Sequence, residues 1–208
     1  MASNDLLKIS LRAFLAWCAL SVAAFIFVRP IIAMWLPMME SVIDAMQSDF
    51  TAQLSVVDVR GAPTITMLCT ATRELRLPSG RVVPFLGSYR CAATDAVHAL
   101  VPIVIFLVTV VSWPIGRRVD AIGRILSSFM LLPFIVAVTT PMLLLGLVNS
   151  VLNPASFSTR SQWIALLQPF VFMEMGGRWL LPLVAALLCV RFGTMLHKRP
   201  IPVEKKIF

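Results

Sequence analysis

Residues Ile125–Val148 read ILSSFMLLPFIVAVTTPMLLLGLV, twenty-four positions without a charge. A hydrocarbon core about 30 Å thick is crossed by about 20 helical residues, so this stretch is long enough to span a bilayer. Three others match it, at Ala13–Leu36, Ala96–Trp113 and Ile164–Phe192, and together the four make up nearly half of the 208-residue chain. Only 13% of the residues are charged, the apolar fraction is 59% and the mean hydropathy is +0.88. A soluble domain would carry about a quarter charged residues. The expected fold class is membrane α-helical, with four transmembrane helices.

The net charge of +8 gains meaning from its placement. Lys8, Arg12, Arg117, Arg118, Arg124, Arg191, Lys198, Arg199, Lys205 and Lys206 all flank the same end of the expected spans. Against these ten stand Asp5, Asp120 and Glu204. The long connection 37–95 balances five arginines against six acids. This is the positive-inside pattern, with both termini and the short middle loop cytoplasmic. The alternation closes only for an even number of spans. The expected location is the bacterial inner (cytoplasmic) membrane, with the basic ends meeting anionic lipid headgroups at the cytoplasmic face rather than nucleic acid. Because apolar sequence continues through Arg29-Pro30, the first span reads as a retained signal anchor rather than a cleaved signal peptide.

The chain divides accordingly. Residues 1–36 form the N-terminus and first span; 37–95 form a periplasmic insert; 96–113 form the second span and 114–124 a basic cytoplasmic loop. Residues 125–148 are the third span, 149–163 a periplasmic loop, 164–192 the fourth span and 193–208 a basic cytoplasmic tail. Within the insert, Met38, Met39, Val42, Ile43, Met46 and Phe50 recur at helical spacing. They make either an amphipathic helix on the outer leaflet or a core-facing helix of the insert. From Leu54 the pattern turns to β. Leu54–Val59, Thr64–Thr72 and Arg81–Leu86 read as strands of a small antiparallel meander, with turns at Arg60-Gly61-Ala62-Pro63 and Pro78-Ser79-Gly80. Pro84 assigns the third strand to an edge. So small a unit needs a staple. Cys69 and Cys91 can form one in an oxidising periplasm, two free thiols being the alternative. Cys18 and Cys189 read as small buried apolar residues.

The chemistry-bearing positions are polar groups within the spans. Glu174 and Arg178 stand four residues apart in the fourth span, the spacing of one helical face, and counting from Trp163 puts both inside the hydrocarbon. Arg29 in the first span and His98 in the second lie in the outer half of the membrane, in reach of Glu174. These four could form a packing ion pair, a contact with a partner's spans, or a proton-handling site. Gly176 and Gly177 beside them permit close helix packing. A thiol enzyme using Cys91 and His98 is the competing chemistry, but a cysteine bonded to Cys69 cannot serve as nucleophile. Two histidines, His98 and His197, on opposite membrane sides argue against a transition-metal site. No cofactor motif is visible, and the expectation is a non-enzyme.

Short patches along the chain, Leu11–Trp17, Arg29-Pro30, Val101-Pro102, Arg117-Arg118, Ser161-Gln162-Trp163 and Gly176–Pro182, in this layout resemble the exosortase H-associated membrane proteins. Those are small four-span inner-membrane proteins encoded beside a membrane-embedded cysteine transpeptidase that sorts proteins by a C-terminal signal. The cysteine pair in the insert departs from that pattern. The resemblance implies an accessory subunit rather than the transpeptidase, and it carries no catalytic residues onto this chain. The expected function is therefore an accessory or assembly subunit of an inner-membrane complex, in envelope protein sorting or secretion, whose partners are other integral membrane proteins. The alternatives are a membrane-embedded cysteine peptidase or transpeptidase-like enzyme, and an immunity-type membrane binding protein.

Overall fold

The computed structural model describes residues 3–72, 74–76, 82–114, 118–152 and 171–195. Most of the 149–163 loop, the start of the fourth span, the turn at Pro78-Ser79-Gly80 and the tail beyond Met195 lie outside the described residues. The order of elements is α1 (Ser3–Ile26), α2 (Val28–Met46), β1 (Phe50–Val59), β2 (Ala62–Ala71), β3 (Leu75–Arg76), β4 (Val82–Val83), β5 (Ser88–Asp95), α3 (Ala96–Ser112) and α4 (Arg118–Leu152). A π-helical turn (Met173–Gly177) then leads into α5 (Arg178–Met195).

Among the described residues three helices are long and apolar enough to cross a membrane: Leu7–Ile26, Asp120–Val148 and Met173–Phe192. The fourth apolar helix, α3, is shorter at 17 residues. The expected first span, 13–36, is not one helix. Pro30 has no N–H for the carbonyl of Ile26 and its ring crowds that carbonyl, so the helix breaks one turn earlier. Phe27 is the single non-helical residue (φ −103°, ψ 21°) between α1 and α2. Helix α2 then runs straight through Pro37 to Met46. The stripe at Met39 and Ile43 belongs to it and is buried. Of the two readings of the amphipathic segment, the core-facing one holds at these positions.

Three strands form one antiparallel sheet in the order β1-β2-β5. Arg60 (φ 53°) and Gly61 (φ 82°) make the two-residue turn of the β1–β2 hairpin, where Val59 faces Ala62. Two successive positive φ values match the strands' right-handed twist, and Gly61 adopts its own without steric cost. The third strand is Ser88–Asp95, not the expected Arg81–Leu86. Val82–Val83 pairs only with Leu75–Arg76 in a separate two-residue ribbon, so Pro84 marks no edge of the main sheet. Met67 faces Ala92 whereas Leu68 faces Arg90, which makes Cys91 the extra residue of a β-bulge.

Strand β1 is an edge, and α2 covers it. Ala52 N–H donates to Asp44 Oδ1 (2.8 Å), and Leu54 N–H donates to Glu40 Oε1 (2.5 Å). Acids four apart on a helix are separated by about 6 Å along its axis, and the outward amides of a strand recur about every 6.8 Å, so the two repeats nearly match. A capped edge offers no row of free donors to another chain.

One apolar core joins the sheet to the helices. It contains Ile32, Met39 and Ile43 of α2, Phe50, Ile65 and Met67 of the sheet, Leu100 of α3, and Leu144 and Val148 of α4. A second core lies toward the other end of the bundle, from Phe106, Ile135, Ala185, Ala186 and Cys189 of α3, α4 and α5. Among the described residues no buried side chain of α1 belongs to either core; Ala24 packs against the first, and the helix lies along α3. At the end away from the sheet, the buried Arg124 donates to the carbonyls of Trp113 (2.9 Å) and Pro114 (2.8 Å), tying the foot of α3 to α4.

Candidate functional site at the sheet end of the bundle

Strand β5 passes directly into α3 with no intervening residue. Asp95 is the N-cap: its carboxylate accepts from the amides of Val97 (2.7 Å) and His98 (3.4 Å), two donors with no partner inside the helix. His98 is thereby fixed on the first turn of α3, exposed beside Thr94 of β5.

The approach to α5 is irregular. Gly176 has φ +125°, which side-chain-bearing residues rarely adopt. A Cβ on Gly177 would stand 2.3 Å from the Phe172 ring and 2.7 Å from the Phe172 carbonyl oxygen. Both glycines thus serve this turn. The kink lies between Glu174 and Arg178, so their four-residue spacing does not put them on one helical face, and they form no ion pair with each other. Glu174 faces outward among the exposed Phe172, Met175 and Trp179.

Arg178 turns inward. Together with Thr94, His98, Thr139, Thr140 and Met173 it lines a pocket of about 20 Å³ between α3, α4 and α5, a volume that holds about one water molecule. Its Nε is buried and has no hydrogen-bond acceptor among the described residues. Its guanidinium carbon lies 5.7 Å from the centre of the Trp179 ring, within cation–π range. Thr139 and Thr140 are almost fully buried, and Thr139 donates back to the Ile135 carbonyl (2.8 Å). Since Thr94 and the first turn of α3 share this pocket, Arg178 sits at the sheet-side boundary of the bundle, nearer its end than the count from Trp163 suggests.

Of the four intramembrane candidates, the structure brings His98 and Arg178 together. Arg29 instead pairs with Asp58 near the tip of β1. The side chains are 62% and 48% exposed, where such pairs contribute about 0–1 kcal/mol. Sequence reasoning missed Thr94, Thr139 and Thr140. The adjacent threonines inside an otherwise apolar span were the available signal.

Cys69 and Cys91 form a disulfide across the bulge, with Cα atoms 6.0 Å apart. This leaves Cys91 no thiolate for nucleophilic chemistry with His98. Cys189 is buried, 3.1 Å from Ser127 Oγ, whereas Cys18 is exposed rather than buried as expected. Among the described residues no three His, Cys, Asp or Glu side chains cluster as metal ligands.

Two grooves open at the opposite end. One, of about 390 Å³, lies between α3 and α4 and is lined by Leu107, Val110, Ile125, Phe129 and Leu132, with Arg124 and Ser128 at its polar edge. The other, of about 640 Å³, lies between Arg12, Leu15 and Ala16 of α1 and Val111 and Trp113. No family model, curated protein or solved structure matches the chain, so likeness transfers no residue role to it.

Proposed function

We propose that this chain is a four-span accessory or assembly subunit of a complex in the bacterial inner membrane, with its sheet on the periplasmic side and both termini in the cytoplasm. The observation that carries this reading is the open side of α1. That helix leans on α3 and, among the described residues, adds no buried side chain to either core, so beside its groove with α3 there remains an apolar cleft walled by α3 and α4. Ile125 and Phe129 on its rim are 71% and 77% exposed. An apolar cleft of this kind accepts an apolar helix from another membrane protein, by packing rather than by a hydrophobic driving force.

Charge supports the orientation. Arg12 and Trp113 share one groove, and Arg124 holds the Trp113 carbonyl, so these cations gather at the end away from the sheet. That end meets anionic headgroups of the cytoplasmic leaflet. Helix α3, at 17 residues, is at the short limit for a span. The layout shared with exosortase H-associated membrane proteins points to envelope protein sorting or secretion as the process.

A photo-crosslinking amino acid at Phe129, followed by mild-detergent extraction and mass spectrometry, tests the reading. A discrete protein adduct, matched by a stoichiometric co-purifying partner, is the expected result. A lone monomer with no protein adduct, repeated across detergents, overturns it. Glu174→Leu should also reduce partner recovery, because an exposed carboxylate on an apolar helix surface is a natural contact for a partner's donor.

A further inference from the structure

We propose that the pocket between α3, α4 and α5 binds the phosphate of a phospholipid headgroup in the sheet-side leaflet, with Arg178 as the principal ligand. The inference rests on membrane embedding and is independent of any protein partner.

Arg178 is a cation at the bundle's sheet-side boundary that has no anion of its own among the described residues. Glu174 faces away from it, and the nearby Asp95 is engaged with the amides that open α3. The Arg178 side chain lines the pocket, and its buried Nε has no acceptor among the described residues. A guanidinium presents Nε–H and Nη–H as a planar fork that fits two oxygens of one phosphate. The guanidinium lies over the Trp179 ring, within cation–π range. His98 lines the same pocket and is exposed, so it supplies a second donor at the mouth.

Size limits the ligand. About 20 Å³ admits one or two oxygens, not a whole phosphate, so the rest of the headgroup stays outside. Beyond the mouth, Trp179, Leu180, Leu183, Leu187 and Leu188 on α5 are all exposed and apolar. They continue along the helix away from the sheet, in the direction acyl chains take below a phosphate at this level. A soluble anion would make no use of that surface.

The purified full-length protein in a non-ionic detergent is exchanged against dioleoylphosphatidylglycerol, dioleoylphosphatidylcholine, dioleoylglycerol or inorganic phosphate, and occupancy is read by native mass spectrometry. Both phospholipids should bind and dioleoylglycerol should not. Arg178→Gln should lower phospholipid affinity about tenfold or more, as expected for losing a hydrogen bond between charged groups. Arg178→Lys, which keeps the charge and loses the fork, should fall between. Arg60→Gln, in the turn of the β1–β2 hairpin, should match the wild type. An intact Cys69–Cys91 bond and an unchanged melting temperature without lipid establish that the variants are folded. If Arg178→Gln fails that criterion, His98→Gln and Arg178→Lys carry the test. Equal phospholipid binding by wild type and folded Arg178 variants overturns the proposal. So does equal retention of dioleoylglycerol. Binding of inorganic phosphate with no preference for phospholipid overturns the lipid assignment.

Discussion

Removing Asp44 should loosen the sheet at one edge and leave the rest of the fold in place. The Asp44 carboxylate accepts from Ala52 N–H at 2.8 Å, and Ala52 is buried. A hydrogen bond to a charged group contributes about 1.5–3 kcal/mol, and a buried donor left without an acceptor costs a similar amount. Asp44→Ala should therefore speed hydrogen exchange of the Ala52 amide about 10- to 150-fold at constant pH, since each 1.4 kcal/mol is a factor of ten. Glu40→Ala should do the same at Leu54. The double variant exposes both edge donors and should form concentration-dependent dimers through β1. Asp44→Asn retains an acceptor and should fall well below the alanine variant. The assay is amide hydrogen exchange by mass spectrometry in detergent, with size-exclusion chromatography for the dimers. Less than about a threefold change at Ala52 in Asp44→Ala, far under the expected range, would refute the carboxylate clamp.

Four further outcomes follow from local geometry. Tyr89 is the chain's single tyrosine, its hydroxyl is buried without a partner, and burial, then the Asp49 charge, pushes its pKa above 10.0. The raised folded value favours the neutral phenol, so its contribution to stability is complete below pH 10 and is lost as pH rises through the folded pKa. Phenolate absorbance should show the folded protein titrating later than the denatured chain, with Asp49→Asn narrowing the gap but not closing it; coincident curves would remove the effect. Gly177→Ala should destabilise by about 1–3 kcal/mol through overpacking against Phe172. Adding Phe172→Leu should not restore the melting temperature, because the Phe172 carbonyl is also within 2.7 Å of the new Cβ. Without reductant, maleimide should label Cys18 in the folded protein and Cys189 only after denaturation, with Cys69 and Cys91 reacting only after reduction. Breaking that bond should destabilise by about 3 kcal/mol, the loop-entropy value for its length; an unchanged melting temperature would show that the bond does not constrain the chain.

The apolar helices and the β1–β2 hairpin were legible because their signals are local: long uncharged runs, β-branched alternation, a glycine turn. Cys69 and Cys91 were legible as a pair for the same reason. Strand β5 was not. Ser88–Asp95 has no β-branched residue but Thr94, and the bulge at Cys91 interrupts its alternation, so pairing with β2 makes it a strand where propensity does not. The expected first span closes at Leu36, yet tertiary burial of Met39 and Ile43 carries α2 past Pro37. At Glu174 and Arg178 the spacing was right and the geometry was not, because a positive φ at Gly176 lies between them. Arg29 illustrates a different limit. Its partner, Asp58, is 29 residues away, and no helical periodicity connects a helix to the tip of a strand.

The seamless joint at Asp95–Ala96 has a consequence for how this chain can vary. Each residue added there would turn α3 by about 100° and move it about 1.5 Å along its axis. One insertion would swing His98 out of the pocket it shares with Arg178 and present a different side of α3 to α4 and α5. The bulge and the bond at Cys91 fix where β5 starts this count. The sheet thus works as an index for the rotation of α3, and length changes in the segment Cys91–His98 are intolerable in a way that equal changes between separate, loosely joined units would not be.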